Sequence, residues 1–322
     1  MRPEIRPFDA SFLDEAAALL AGRHREHRQA WPALDPAFEQ PARAREEIER
    51  LTAAPGVSGV VATRGGRLAG YLLGIGKDPS IWGPNTWVES AGQAVVEPEI
   101  VRDLYRAAAA AWVEAGRTRH YVLVPATAGG LIDAWNRLGF GQQHVHALRD
   151  AAPPAFRPGP VPGLAVRRAE RADIPELATL ELVLPEHQAR SPVFASLPMP
   201  SLEEAQAELE EEFDDPRFAT FVAVRDGRVV GTATCCSLEV SSINTGLIRP
   251  PAAGFLGYAA VLPEARGLGA GRALGETVIA WSTAAGYPCV ATDWRATNIE
   301  ASRAWPALGF RPTFLRLYRV IG

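Results

Sequence analysis

The sequence predicts an α/β (α+β) protein of two tandem domains, and three observations carry that prediction. A β-prone run, a glycine-rich turn and an amphipathic segment follow one another between Phe255 and Trp281. A proline-rich stretch interrupts the chain near its middle. The segments on either side of that stretch repeat one another at a nearly constant offset.

At 322 residues the chain exceeds one average domain and has room for two of ordinary size. The cut falls at Ala151 to Gly163, whose prolines remove backbone donors and favour extended, solvated geometry. Residues 151–163 therefore read as a linker, with one domain over 1–150 and another over 164–322. In the first, the β-rich run Val57 to Thr63 meets Arg64-Gly65-Gly66-Arg67; in the second, Phe218 to Val224 meets Arg225-Asp226-Gly227-Arg228. Both are hairpin signals. Trp135 through Gly139-Phe140 answers Trp305 through Gly309-Phe310, and Val96-Glu97-Pro98 answers Val261-Leu262-Pro263.

In the second half, the apolar run Phe255 to Val261 reads as a buried strand that Pro263 stops. Gly267, Gly269 and Gly271 follow, free to take positive φ and to bring backbone N–H groups close to an anion. Arg266 and Arg272 flank them. Leu274, Val278 and Trp281 recur at helical spacing, so a helix starts at the turn and points its positive end back at it. Downstream, Cys289 to Trp294 is β-prone, Thr297 and Glu300 have capping-box spacing, Gly309 suits a helix C-cap, and Thr313 to Val320 returns as a strand.

Spacing sorts the phosphate-binding designs that use such glycines. A P-loop needs a Gly-Lys-Ser/Thr ending, and the one lysine in the chain, Lys77, lies far away. A dinucleotide fingerprint needs a third glycine where Leu274 stands, although Asp293 lies at about the ribose-binding distance of roughly twenty residues, which keeps that alternative open. Arg-x-x-Gly-x-Gly is matched by Arg266, Gly269 and Gly271. With Asn298, Ala301, Gly309 and Phe310 in the second motif, the C-terminal half resembles the GCN5-related N-acetyltransferase (GNAT) superfamily.

The resemblance implies two tandem GNAT (acyl-CoA N-acyltransferase) domains, each a mixed, mostly antiparallel sheet flanked by helices. It implies acetyl-CoA as cofactor, held at Ala260, Val261, Leu262, Arg266, Gly267, Leu268, Gly269, Ala270, Gly271 and Arg272, with Asn298, Ser302 and Trp305 as further contacts. It also implies direct transfer of an acetyl group to a primary amine of a small molecule by the second domain. The first domain has no glycines after Pro98, so it is expected to be degenerate and without an acyl-CoA motif.

The chain departs from the family where proton transfer belongs. Trp305 replaces a tyrosine that often protonates the leaving thiolate, and an indole N–H does not release a proton at neutral pH. Pro306 is expected to kink the helix near Ser302. Tyr258 and Asp293 are the candidate catalytic residues, and Glu239 is a further acid by location. These departures favour the competing reading, a non-catalytic acyl-CoA-binding or sensor module.

Composition agrees with an enzyme in aqueous solution: 47% hydrophobic, 22% charged, formal net charge −4. No basic footprint for nucleic acid and no membrane-length apolar run stands out. A cytoplasmic location and a monomer, or a weak homodimer, are expected. Cys235, Cys236 and Cys289 read as reduced core thiols. The acidic run Glu203 to Asp215 reads as the solvated face of a helix anchored by Leu202, Leu209 and Phe213. The pairs His24/His27 and His144/His146 lack further ligands at matching spacing, so no metal site is expected.

Overall fold

The computed structural model describes residues 3–78, 82–152, 161–195 and 199–322. Most of the proline-rich stretch therefore lies outside the described residues. The chain forms two compact units: residues 1–145, 245–251 and 312–322 make the first, and 146–244 and 252–311 the second.

The first 150 residues supply β1 (Glu4–Pro7), α1 (Leu13–Ala30), α2 (Pro41–Thr52), β2 (Val57–Arg64), β3 (Arg67–Lys77), β4 (Asn85–Val88), β5 (Gln93–Val95), α3 (Ile100–Glu114), β6 (Arg119–Pro125), α4 (Gly129–Asn136) and β7 (Gly141–Asp150). β8 (Leu164–Arg168), α5 (Ile174–Ala189), α6 (Leu202–Glu212), β9 (Phe218–Arg225), β10 (Arg228–Ser237), β11 (Gly254–Val261), α7 (Ala270–Ala284), β12 (Cys289–Arg295), α8 (Ile299–Ala307) and β13 (Arg311–Val320) follow.

In the first unit, β1, β2 and β3 are antiparallel neighbours, β4 pairs β3 antiparallel and β6 parallel, and β5 pairs β3 alone. In the second, β8, β9, β10 and β11 are antiparallel in chain order and β12 adds in parallel. Each sheet is thus mixed and mostly antiparallel. Both predicted hairpin turns form, with left-handed pairs at Gly65 and Gly66 and at Asp226 and Gly227, the geometry that matches the twist of the flanking strands.

The expected cut does not hold at the C-terminus. β13 pairs antiparallel with β6, from Phe314 opposite Pro125 to Val320 opposite Arg119, so residues 312–322 belong to the first unit and not to a 164–322 domain. Alternation along 313–320 identifies a strand but says nothing of its partner. At the other end, β7 starts in the first unit and ends in the second.

The core of the first unit is rich in aromatic residues, with Tyr105, Trp112, Trp135 and Phe140 in edge-to-face contacts. In the second, Ala169, Leu177 and Val222 form a cluster onto which Leu209 and Phe213 of α6 fold. The expected apolar face of α6 is there at those two residues, whereas Leu202 is exposed. All three cysteines are buried, unbridged thiols, pushed by burial to about 12, 11 and 11 in order. No helix among the described residues is long and apolar enough to cross a membrane.

Candidate active site

The second unit contains a cleft of about 430 Å³ at the point where β11 leaves β12. The two strands pair only from Gly254–Val290 to Leu256–Thr292. At that last rung the Thr292 hydroxyl donates to the Leu256 carbonyl at 3.0 Å. Beyond it Ala259, Ala260 and Val261 keep β10 as their ladder partner and line the cleft with their other edge. A splayed parallel pair exposes backbone groups that a continuous ladder would consume.

The glycine turn closes one end. Gly267 and Gly269 have φ of 76° and 90°, and Gly269 is the N-cap of α7. None of the amides from Gly267 to Arg272 has a backbone acceptor among the described residues. Helix N-termini always leave such donors, and here they face a cleft bordered by Arg266 and Arg272. A Cβ on Gly269 would meet Val161 Cγ2 at 2.8 Å, so glycine is required there for space as well as for φ.

The far wall comes from α8 and α5. Asn298 is the N-cap of α8, its Oδ1 accepting from the Ala301 N–H at 3.1 Å. The expected box at Thr297 and Glu300 is therefore replaced by an Asn cap one residue later, and Asn298 keeps its amide N–H₂ to offer. Trp305 lines the cleft, packed edge-on against Phe310. α8 runs unbroken past Ser302 to Ala307, so Pro306 falls in its last turn and the helix ends one residue after it. Val183, Leu184 and His187 of α5 complete the wall.

Ten of the thirteen expected cofactor contacts line this cleft: Ala260, Val261, Arg266, Gly267, Gly269, Ala270, Gly271, Arg272, Asn298 and Trp305. Leu262, Leu268 and Ser302 do not. Leu268 is exposed, and Ser302 accepts from Trp294 Nε1 and donates to the Ala296 carbonyl, both at 3.2 Å.

A second cavity of about 260 Å³ is lined by other residues of the same two elements, α5 and β11. Glu181, Glu208, Glu212 and Tyr258 are among its lining residues. Burial, and then the neighbouring Glu208 charge, push the Glu181 carboxyl up to about 7. The Tyr258 hydroxyl donates to the Leu180 carbonyl at 2.7 Å, and burial followed by Glu181 raises its pKa well beyond the usual phenol range. Tyr258 thus belongs to the second cavity, with its proton committed, and not to the cleft. Asp293 lines neither cavity. Glu239 sits in a short turn after β10 and also lines neither. Sequence reasoning missed Glu181 and His187, which lie on a helix whose polar residues carry no motif. A carboxylate and an imidazole so far before the glycines along the chain have no spacing to betray them.

Among the described residues no three His, Cys, Asp or Glu side chains gather as a metal site. His24 and His27 are instead buried core rings, against Phe38 and Phe314 respectively.

The splayed strand pair, the left-handed glycine turn and the open helix N-terminus together define a cleft suited to an anionic ligand. The Acetyltransferase (GNAT) family pattern matches residues 183–310. Aminoglycoside N(6')-acetyltransferase type 1 of Stenotrophomonas maltophilia is 35% identical over 115 residues, covering 35% of this chain and 73% of that protein. The chain belongs to the GNAT family of N-acetyltransferases, and is an enzyme of that family. Its fold is shared over nearly its whole length with a GCN5-related N-acetyltransferase from Sphaerobacter thermophilus, at TM-score 0.57 and 17% identity, covering 99% of this chain and 96% of that one. A GCN5-related glucosamine N-acetyltransferase region of a fungal multi-domain GH3 beta-N-acetylglucosaminidase matches at TM-score 0.52 and 16% identity, covering 98% of this chain and 38% of that one.

Proposed function

We propose that the second unit transfers an acetyl group from acetyl-CoA to a primary amine of a small, cationic molecule. The observation that carries this reading is the β11–β12 splay opening onto the Gly267–Gly271 turn. The unpaired amides of the turn, the α7 dipole, Arg266 and Arg272 suit a pyrophosphate, and the apolar wall of Val183, Leu184, Ala259 and Ala260 suits a pantetheine arm. Acetyl-CoA supplies the activated acyl group when bound. The chain's own residues orient it, exclude water and leave the second cavity for the acceptor.

The acidic lining of that cavity favours a protonated amine over a neutral or anionic acceptor. The relatedness to an aminoglycoside acetyltransferase supports the same class of polyamine. We assign no cofactor to the first unit, because Glu97, Glu99 and Asp103 crowd the start of α3, where a pyrophosphate would need positive potential.

Calorimetric binding of acetyl-CoA, with CoA release measured over a panel of amines, tests the proposal. Turnover is expected on di- and polycationic amines. Glu181→Gln should raise KM for them about tenfold and leave acetyl-CoA affinity unchanged, the size expected for a partly solvated charge pair. Tight acetyl-CoA binding with no turnover on any amine would instead support the sensor module.

A further inference from the structure

The cleft holds one titratable ring that the family resemblance does not predict. His187, near the C-terminal end of α5, lines it together with Ala259, Asn298 and Trp305. Its Nε2 lies 3.3 Å from Glu300 Oε2 and 3.4 Å from Asn298 Oδ1. Both neighbours are acceptors, since the Ala301 N–H already fixes Oδ1 as the accepting atom of Asn298. The hydrogen of a neutral ring therefore sits on Nε2, and Nδ1 carries the lone pair.

The surroundings suit a proton carrier. The His187 side chain is 17% exposed and that of Glu300 60%, so the ring is sheltered while its counter-charge stays hydrated. Arg266 and Arg272 line the same cleft, and Glu186 and Arg190 pair on the ring's own helix at 3.9 Å. Arg295 at the end of β12 donates to Gln188 at 3.1 Å and holds the end of α5 in place. Neither sequence candidate is placed for this work, since Tyr258 gives its proton to Leu180 and Asp293 lines neither cavity, and Trp305 keeps its indole proton.

We propose that His187, backed by Glu300, is the catalytic proton carrier of this cleft. Once the bound ammonium has given one proton to water, the neutral amine attacks, and the His187 Nδ1 takes the second proton, the one nitrogen loses as it bonds to the acetyl carbon. It then returns that proton to the sulfur, which departs with the electron pair of the broken C–S bond. The ring ends as it began and no further reactant is consumed. Glu300 stabilises the transient imidazolium, as an acid partner does for a histidine base.

This proposal rests on the acetyl-CoA reading of the cleft, and the experiment separates the two. Acetyl-CoA binding to wild type, His187→Gln and Glu300→Gln is measured by calorimetry, and thermal melts verify folding. Ring-labelled histidine spectra are recorded across pH with CoA and with desulfo-CoA, the His187 signal being the one lost in the variant. Turnover on the best amine of the panel is followed across pH.

His187→Gln is expected to bind acetyl-CoA within about threefold of wild type and to lose about a hundredfold or more in turnover, the usual weight of acid–base catalysis. Its turnover no longer follows the pH dependence of wild type, and Glu300→Gln lowers turnover while leaving acetyl-CoA affinity as it was. In wild type, the ring responds to CoA and not to desulfo-CoA. Normal binding with wild-type turnover, or a ring indifferent to CoA, overturns the role of His187 alone. Absence of acetyl-CoA binding to wild type overturns the cleft reading and the proposal with it.

Discussion

Both units let a strand leave its parallel neighbour, and only one of them keeps the resulting gap open. In the second unit β11 parts from β12 after Leu256 and the gap is the cleft. In the first, β4 pairs β6 from Asn85 to Val88, and the chain then continues as β5 beside β3 alone. There the Gln93 amide donates to the Leu123 carbonyl at 3.0 Å and accepts from Trp135 Nε1 at 3.1 Å. Arg23, partly buried on α1, donates to the carbonyls of Gln93 and Ser90, and burial lowers its pKa to about 10. The same divergence of strands makes a binding site when its edge is left to a ligand and a polar core when side chains satisfy it.

Acidification should separate the units most. His24 and His27 of the first unit are buried with folded values lowered to about 4 and about 3, chiefly by burial. Their unfolded forms protonate below about 6.5. Their contribution is therefore complete above that pH and drains away as pH falls toward the folded values. By pH 5 the loss is about 2 kcal/mol for each ring, from ~1.4 kcal/mol per pH unit. Glu181 of the second unit has the opposite sign: raised to about 7, it stabilises most below the ordinary glutamate range and loses its effect as pH rises through 7. Denaturant titrations at pH 7.5 and 5 should show the first unit weakening before the second, and His27→Leu should flatten its slope. A second unit that fails first breaks the contrast.

Gly269→Asp should raise the dissociation constant for acetyl-CoA more than about a hundredfold. It puts charge at the amide cradle, a Cβ against Val161 and a side chain on a φ of 90°. Gly267, also at positive φ but with open space around its missing Cβ, separates charge from crowding: Gly267→Ala should cost about 1–2 kcal/mol of local strain and only a few-fold in affinity. Equal affinity for the Asp variant and wild type in calorimetry would place the pyrophosphate elsewhere.

The smallest effect is expected at Tyr258. Tyr258→Phe removes one hydrogen bond to Leu180, worth about 1 kcal/mol, so turnover should fall less than about tenfold. A loss beyond a hundredfold, with folding intact by thermal melt, would return the acid role to the phenol and take it from His187.

Most of the glycine end of the cleft was legible in the chain because its parts are consecutive. Positive φ at Gly267 and Gly269, the helix that follows and the strand before it are local consequences of residues 255–281. The hairpin turns at Gly65-Gly66 and Asp226-Gly227 are local in the same way, as is the end of α8 at Gly309. Asn298 was legible as a site residue, but not as the helix cap, since Thr297 satisfies the same spacing rule one residue earlier. The surroundings of the catalytic candidates were less legible. Which cavity a β11 residue such as Tyr258 faces depends on the bulge that leaves Gly257 of β11 unpaired opposite Thr234 and Cys235, and residue alternation does not announce it.

By itself, then, the sequence determined the elements, their order, the doubling of the plan and the glycine turn before α7, because backbone sterics and short-range periodicity act within a few residues. Only the tertiary structure decided where β13 docks, that Gln93 and Arg23 fill one gap while the other stays open, and that His187 meets Glu300 at the cleft. Those outcomes depend on pairing and burial between segments up to about two hundred residues apart, and such contacts leave no local trace in the residues that make them.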